Sequence, residues 1–589
     1  MGSVFSTVRI VLKTFKEMMQ EYDAVSKRIS QSPGIPQLNA SIPYWTIPNS
    51  PITHEGSNSE LPLEVDIVIL GSGITGASVA KALLEYTSST DGRPPRIAML
   101  EARDACSGAT GRNGGHASPI IYNEYAVLKK EYGAATAIQI LRFRIAHITG
   151  LITAARDANI LDESQARIVD DFDAFLHPQL FEKYKRLLDV FLKEAPEDVA
   201  ETFDVVEERN AIEKLQLASS VIGLIIKPGA SIHSYRFVTG VLARLLDKYS
   251  NFQLFTRTPC TNITVDRGIY VVSTPRGQIR ARHVIHATNA WSSHLLPGLR
   301  RKIVPVRAHM SAQRPGQGLS RQKPIYTCDN SSGLSVPWAG SRAFVFYPGT
   351  EDHGYEYLTQ LLPAALPQNP PSPSRSTSNN SGDTLTDDTK RLPLPTAGEF
   401  MFGGGAMLGG QSETALMNAL GVADDSDTDF VIESYLGGAL ERYFGKHWGE
   451  EGNEPDTEES NPPGGEWGKG RVKAFWTGII GISADSVPWV GRVPSSVSGR
   501  QEPKSSTSET MLSSETKAYP TASPGEWISA GYSGEGMVHA WLCGRAVARM
   551  VLGISAKHKG ELDLPEPFLI TEQRVKKAKI EDLLDRVGE

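Results

Sequence analysis

A two-domain α/β (α+β) chain is predicted from three observations. The segment VDIVILGSGITGASVAKALLE (Val65 to Glu85) reads as a buried-type strand that runs through Gly71, Gly73 and Gly76 straight into a helix. A second strand, IAMLE, then ends on an acid, Glu101. Far downstream, EWISAGYSGEGMVHAWLCGRAVARMVLG (Glu526 to Gly553) repeats the theme of a short strand, a glycine turn and an apolar helix. Strand, triplet, helix, strand and terminal acid in that order specify a Rossmann-type dinucleotide-binding unit. Gly71 makes the tight turn, Gly73 lets a pyrophosphate approach bare backbone, and Gly76 lets the helix pack closely on the strand. The helix N-terminus offers free N–H groups and a positive dipole end to the phosphates, while Glu101 takes the ribose hydroxyls. The interval from Gly76 to Glu101 exceeds the usual ~20 residues, and the loop Ser89 to Arg96 supplies the excess. A chain of 589 residues is too long for one simple core, so two joined domains with appendages are expected.

Along the chain, residues 1–31 form an amphipathic N-terminal helix. Val4, Val8, Val11, Phe15, Met18, Tyr22, Val25 and Ile29 recur in steps of three and four along one stripe. Docking of this helix on the protein's own body, membrane attachment and pairing with a second copy all fit that stripe. Met1-Gly2-Ser3-Val4-Phe5-Ser6 matches the acceptor pattern for myristoylation at Gly2. One acyl chain gives only marginal membrane binding, so the stripe or Arg9, Lys13 and Lys16 would have to help a peripheral contact. Residues 32–63 are rich in Pro, Ser and Asn and read as an extended linker wrapping the surface. Residues 125–225 read as mainly helical. Alternation returns in GLIIKPGASIHSYRFVTGVLARLL (from Gly223) and in IYVVSTPRGQIRARHVIHATNAW (from Ile269), with a hairpin turn at Arg276-Gly277. The strand HVIHAT ends at a second close backbone approach, Ala287-Thr288-Asn289. Residues 363–398, 449–470 and 495–524 are low in complexity and are expected to be flexible decorations without chemistry. The first separates GYEYLTQLL (from Gly354) and EFMFGGG (from Glu399), read as two arms of one hairpin.

The net charge of −7 argues against nucleic acid as the main partner. No run of about 18 apolar residues occurs, so no membrane span is expected. Cys106, Cys260, Cys328 and Cys543 are far apart, which indicates neither a disulfide framework nor a zinc site, and no metal is expected. No signal-peptide pattern opens the chain and DRVGE is not a peroxisomal address, so an intracellular, cytoplasmic location is expected.

The loop ARDACSGATGRNGGHAS (Ala102 to Ser118) separates flavin from nicotinamide. A simple nicotinamide dehydrogenase needs no such Gly- and Ser-rich loop after the acid, whereas a larger cofactor whose second half folds back over the sheet does. The downstream glycine turn and its helix then offer a second anion- or carbonyl-binding end for a flavin's ribityl chain and ring. With these motifs the chain resembles the FAD-dependent amine and amino-acid oxidoreductases of the D-amino-acid oxidase superfamily. More narrowly, it resembles the gamma-glutamylputrescine-oxidoreductase-like branch of bacteria and fungi. The resemblance is carried by GSGITG at 71–76, SGATGRNGGH at 107–116, HATNAW at 286–291, PVRAHM at 305–310, FWTGIIGISADSVPWVG at 475–491 and GYSGEGM at 531–537. Residues 1–50 and the inserts lie outside it.

That resemblance implies a discontinuous FAD-binding domain from 64–125, 228–302 and 471–555. A substrate domain with a large antiparallel sheet would come from 126–227 and 303–470, and 556–589 would be a C-terminal tail. It implies FAD with Gly71, Ser72, Gly73, Ile74, Thr75 and Gly76 at the pyrophosphate and Glu101 at the ribose. Ala102 and Arg103 would lie near the adenine. Ser107, Thr110, Gly111, Asn113, Gly114 and Gly115 would line the phosphate and flavin-ring loop, and Gly534, Gly536 and Met537 the ribityl and ring end. Where the family often has an apolar residue whose backbone meets the adenine, in a T-x-V-x-x-I pattern, this chain has Thr258, Cys260 and Ile263, and a backbone contact survives that change. Many relatives carry His in the C-terminal glycine loop where this chain has Glu535.

The implied chemistry is hydride transfer from a carbon bearing an amine to flavin N5, hydrolysis of the imine, and return of electrons to O2 or another acceptor. No Ser-His-Asp or metal constellation is needed. The catalytic candidates are His116, Tyr355, Tyr357 and Asp485. His116 is either a packing or orienting histidine or a group that meets the ring, the substrate or a covalent flavin link. Strand alternation puts Tyr355 and Tyr357 on one face and Glu356, Leu358 and Gln360 on the other, so one set alone faces a cavity. Asp485 either holds backbone structure or binds a substrate ammonium. Trp476 reads as a packing aromatic, and Arg307 as a partner for a substrate carboxylate or a solvated charge. The leading function is thus an FAD-dependent oxidoreductase acting on a small amine or amino-acid derivative. A flavin dehydrogenase passing electrons to a quinone or partner protein and a non-catalytic flavin-binding scaffold are the alternatives.

Overall fold

The computed structural model describes residues 20, 22–88, 92–200, 202–316, 319, 342–351, 354–362, 398–406, 408, 414–449, 470–503, 519–555 and 562–582. Gly2, the stripe from Val4 to Met18, Arg9, Lys13, Lys16, the loop residues Ser89, Thr90 and Asp91, and most of the three inserts lie outside them.

Two sheets organise the chain. The first holds β1 (Glu64–Leu70), β2 (Ile97–Leu100), β7 (Phe252–Phe255), β8 (Asn262–Asp266), β9 (Ile269–Thr274), β10 (Gly277–His286), β16 (Trp489–Arg492) and β17 (Gly525–Ala530). Its order is β16-β17-β10-β1-β2-β7, with β9 and β8 hanging from β10. The four inner pairings of β17, β10, β1, β2 and β7 are parallel. Parallel strands need cover on both faces. Ile67 and Ile69 of β1 accordingly belong to one buried cluster, and Val68 and Leu70 to another. The hairpin expected at Arg276-Gly277 joins β9 to β10.

The helix after β1, α1 (Ile74–Thr87), lies against the last long helix, α7 (Ala540–Leu552). A Cβ on Gly544 of α7 would stand 2.9 Å from Thr75 O and from Ser78 Cβ, so the two helices meet backbone to backbone. Ser78 Oγ donates to Trp541 O across that contact. The helix N-termini at the two glycine turns are thereby brought side by side.

The second sheet holds β3 (His116–Ala117), β4 (Arg167–Phe175), β5 (Asp204–Val206), β6 (Gly223–Ser231), β11 (Ile303–Gln313), β12 (Ala343–Tyr347), β13 (Glu356–Gln360), β14 (Phe400–Gly404) and β15 (Val472–Ser483). Its order is β15-β11-β14-β13-β12-β4-β6-β3, antiparallel except where β12 meets β4. The expected hairpin across the first insert is present as β13 and β14, paired antiparallel. Between and beside these strands run α2 (Tyr122–Tyr132), α3 (Ala134–Asp157), α4 (Pro178–Glu194), α5 (Ser234–Lys248) and α6 (Phe430–Phe444).

Four expectations change. The region 125–225, read as mainly helical, contains β4, because Asp170, Asp171 and Asp173 break its apolar signal. Residues β3 and β15, inside stretches expected in the cofactor-binding unit, pair in the second sheet. The linker 32–63 does not simply wrap the surface: Tyr44, Trp45 and Ile52 are buried in the main core. The third insert is pinned at its near end, where Arg500 pairs with Glu526 and Arg492 with Glu502. At the N-terminus, residues 22–30 are helical and dock on the body of the protein. Val25 and Ile29 pack with Leu296, Leu299 and Trp489, whereas Tyr22 is half exposed.

Candidate active site

The first glycine turn is shaped by sterics. Gly71 has φ +103°, and a Cβ there would stand 2.6 Å from Ala287 O, which is the second close backbone approach expected from the sequence. A Cβ on Gly76 would lie 2.0 Å from Gly71 O, so any side chain there pushes α1 off its strand. No side chain caps α1 at Gly73, although Thr110 Oγ1 accepts from Ile74 N–H at 3.1 Å. The rest of that first turn, Thr75 and Gly76 included, points its N–H groups at the space over Gly73. Glu101 is 9 % exposed. Its Oε2 accepts from Ser72 N–H (3.0 Å) and Ser72 Oγ (2.7 Å), and its Oε1 from Arg103 N–H (3.0 Å). A carboxylate has about four acceptor positions, so this one still has room for a ribose hydroxyl. Thr258 N–H donates to Glu101 O at 2.8 Å, which brings the Thr258 to Cys260 backbone alongside Glu101 and Ala102. Burial raises the Cys260 thiol to about 12.

The loop from Ser107 to Gly115 is braced from below. Arg103 turns its guanidinium to the buried Asp425 (2.9 Å) and to Ser107 O (3.0 Å). Arg112 shares Asp425 at 3.4 Å and donates to Ser107 O and Thr477 O; burial lowers it to about 10 despite that carboxylate. Trp476 is fully buried and donates Nε1–H to Arg112 O (2.8 Å), as a packing aromatic. Trp45, also fully buried, donates Nε1–H to Asn113 O and stacks edge-on to His233 at 4.5 Å. Asn113 Oδ1 accepts from Gly115 N–H (2.8 Å) and Ser234 Oγ (2.9 Å), and Gly111 tucks against Cys106 O.

The cradle fits FAD on its own features. Ser107 Oγ is buried with no hydrogen-bond partner, and a Cβ added at Gly108 would meet nothing within 4 Å. At the far end, a Cβ at Gly534 would touch only the tip of Ile480 at 4.0 Å, so a planar ring has clearance there. Tyr532 OH links Thr75 Oγ1 and Ser529 Oγ, both at 2.8 Å, and Asn289 Oδ1 accepts from Gly531 N–H at 2.9 Å. The turn Gly536–Val538, which includes Met537, precedes α7 and touches both α3 and β3.

Over this end lies the second sheet. Tyr357 points to the cradle: a Cβ at Gly114 would be 2.5 Å from its ring, and its OH donates to Met310 Sδ at 2.9 Å. Thr359 Oγ1 donates to Gly114 O. Tyr355 shares this face but is 44% exposed; partial enclosure first, then the charges of Glu535 and Glu124, raises its phenol. Glu356, Leu358 and Gln360 fill the opposite face, where Glu356 meets Tyr443 and Gln360 meets Arg342. His116 stacks near Tyr357 at 6.2 Å, and its Nε2 bonds Asp171 Oδ1 at 3.0 Å. Asp171 and Asp173 share Lys227, at 3.6 and 2.8 Å, and Tyr122 OH donates to Asp173 Oδ2. Burial alone would raise Asp171, but His116 and Lys227 outweigh it and hold it low. Glu535 lies beside Arg144 at 3.3 Å, and burial pushes its carboxyl up to about 7 despite that cation.

Two sequence candidates end elsewhere. Asp485 is held bidentately by Arg574 (2.8 and 2.9 Å) and accepts from Ser483 Oγ, so of its two readings the structural one applies. Arg307 alternates with Met310 along β11 and so faces away from the cradle, towards His309 and Asp424. Conversely, Trp45, Arg144, Asp171, Asp173 and Lys227 were not anticipated. The run DDFDAF carried the one available signal, acids at alternate positions of an otherwise apolar strand.

Residues 66–550 match the family model described as DAO, FAD dependent oxidoreductase. Among solved structures, the fold is similar to glycine oxidase from Geobacillus kaustophilus (TM-score 0.53, 15% identity, covering 87% of this chain and 99% of that one). It is also similar to L-amino acid deaminase from Proteus vulgaris, with its specific insertion deleted (TM-score 0.51, 13% identity, 89% and 98%). L-proline dehydrogenase from P. horikoshii matches as well (TM-score 0.50, 15% identity, 86% and 97%). At these identities the likeness shows the fold alone. No curated protein matches the chain in sequence. Among the described residues, no helix is long and apolar enough to cross a membrane.

Proposed function

The chain belongs to the FAD dependent oxidoreductase family, DAO, and from that premise we propose that it oxidises the C–N bond of a small amine or amino-acid derivative. The observation that carries this reading is the convergence of His116, Tyr355, Tyr357 and Glu535 at the ring end of the cradle. Gly71 to Gly76 would hold the pyrophosphate, Glu101 the ribose, the Ala102, Arg103 and Cys260 backbones the adenine, and Ser107 to Gly115 the middle of the cofactor. Gly534, Gly536 and Met537 would meet the ribityl and ring end. Bound FAD supplies the acceptor for a hydride from the carbon bearing nitrogen.

The chain's own residues do the rest. A protonated amine does not release hydride, so one group must take the nitrogen's proton. His116 is that group in this reading: Asp171 fixes its Nε2 and leaves the ring facing Tyr357. Tyr357, fixed by Met310, and Tyr355 wall the substrate's C–H against the cradle. Loss of hydride and proton leaves an imine, which water hydrolyses to a carbonyl compound and the freed amine.

Anaerobic mixing of the FAD-loaded protein with amines and amino acids tests this. Bleaching of the flavin absorbance is expected with at least one class. No bleaching across a broad panel counts against catalysis and for a flavin-binding scaffold. Admission of air then separates an oxidase from an enzyme that uses another electron acceptor.

A further inference from the structure

The charges at the ring end do not balance, and the surplus has an address. Lys227 serves two carboxylates, Asp171 and Asp173, and Arg144 serves two more, Glu124 at 2.8 Å and Glu535 at 3.3 Å. Asp171, Asp173, Lys227 and Arg144 are all essentially buried, and Glu535 is 12% exposed. Glu124 is 35% exposed and keeps contact with water, so while His116 beside Asp171 is neutral two cations face three buried carboxylates, and a buried net charge is costly unless a counter-charge joins it. Glu535 is the least well served of the four. Arg144 reaches only its Oε2, the nearby His539 Nδ1 bonds the Glu535 backbone carbonyl at 3.0 Å, and Oε1 is buried without a hydrogen-bond partner. It sits between Gly534 and Gly536, where the cradle has clearance, on a turn that touches the strand of His116.

We infer that Glu535 anchors the substrate's ammonium group, and that the site selects simple cationic amines over the corresponding α-amino acids. The inference rests on the proposed amine oxidation and names its substrate class. An ammonium brings the missing positive charge and three donors, one of which satisfies Oε1. A substrate carboxylate would instead enter beside four carboxylates. Among the described residues, both cations of the cluster are already shared by two acids each. The anchored nitrogen then lies between Glu535 and His116, which takes its proton as the C–H is delivered. Burial raises the carboxyls of both Glu535 and Asp173, which fits the same surplus.

Matched pairs that differ only by an α-carboxylate read this directly: ethylamine and alanine, butylamine and norvaline, phenethylamine and phenylalanine. Each is titrated anaerobically into FAD-loaded wild type, Glu535→Gln and Glu535→Asp by calorimetry, with flavin content and circular dichroism as folding controls. The expected result is at least about tenfold tighter binding of the amine in a pair. Glu535→Gln should weaken that amine about tenfold or more, and Glu535→Asp should recover part of the loss. Tighter binding of the amino acids, or unchanged amine binding in Glu535→Gln, overturns the inference. In that case bleaching of the flavin by either class still leaves the proposed oxidation standing. If no compound binds or bleaches, both fall together.

Discussion

Replacement of Trp45 tests whether a segment upstream of the family match, which begins at residue 66, helps to build the cofactor site. The indole is fully buried, its edge lies against His233 at 4.5 Å, and its N–H is given to Asn113 O in the middle of the Ser107 to Gly115 loop. A Cβ on Gly115 would stand 3.1 Å from the same ring, so the loop's shape is moulded on it. Trp45→Ala opens a cavity of indole size, which costs about 3–5 kcal/mol. It also leaves Asn113 O without its donor, which adds about 1–3 kcal/mol if water does not reach it. Trp45→Phe keeps one six-membered ring and removes the donor and the indole's second ring, so a loss between that of the donor alone, about 1–3 kcal/mol, and that of Trp45→Ala is expected. Because the loop is part of the cradle, a share of either loss should appear in cofactor affinity. A share of about 1.4 kcal/mol is a tenfold weaker FAD Kd. Apo-protein is reconstituted with FAD and followed by quenching of flavin fluorescence, and urea unfolding of the loaded protein gives the stability change. The expected order of FAD affinity is wild type, Trp45→Phe, Trp45→Ala. Wild-type FAD affinity in both variants would refute the moulding argument, and a stability loss without an affinity loss would reduce Trp45 to ordinary core.

Gly76→Ala should abolish FAD retention on purification, because its Cβ would sit 2.0 Å from Gly71 O and backbone cannot yield; the flavin absorbance of the purified protein reads this. Asp171→Asn should slow anaerobic flavin reduction about 10–100-fold and change its pH profile, since His116 keeps a hydrogen-bond acceptor but loses the negative charge beside it, whereas a purely structural role would leave that profile unchanged. Burial alone would raise Glu526, but Arg500 and His286 outweigh it and hold it near 2. Its depressed value means that its stabilisation is complete above the unfolded value of about 4.5 and is lost as pH falls through about 2, on the order of 3 kcal/mol in total. Urea midpoints measured across that window should fall in the wild type and flatten in Glu526→Gln. Amine affinity should rise with pH through about 7 as Glu535 ionises next to Arg144, Glu124, Lys227, His539 and Tyr355, and this rise should vanish in Glu535→Gln.

The two glycine turns were legible in sequence because local rules write them. The tight turn at Gly71, the close packing at Gly76, the acid at Glu101 and the backbone approach at Ala287 each follow from a short strand-turn-helix segment. The β13–β14 hairpin was equally legible despite its long insert, since each arm carries its own alternation. What stayed hidden depends on distant partners. Beyond the run DDFDAF, nothing local in the sequence marks Asp171 and Asp173 as buried; β6 places Lys227 across the sheet from them. Asp485 had two readings that only Arg574, 89 residues on, separates. Trp45 sat in a Pro- and Ser-rich stretch whose composition says surface, and a single aromatic there does not change that average.

The tie between the two glycine turns explains why the chain can keep one cofactor site while dispersing its parts. Thr75, on the first turn of α1, shares a hydrogen bond with Tyr532, 457 residues downstream, and Tyr532 in turn holds Ser529 at the end of β17. Asn289, adopting φ +41° at the end of β10, fixes Gly531 from the other side. Gly544 allows the helices behind these turns to touch. The glycine turn at Gly71 and the one at Gly531 to Gly536 are therefore one mechanical unit. The low-complexity inserts fall between β13 and β14, between α6 and β15, and between β16 and β17, outside that unit. Insertion there lengthens a connection, at an entropic cost that grows only slowly with its length, and leaves the hydrogen bonds between the two turns untouched.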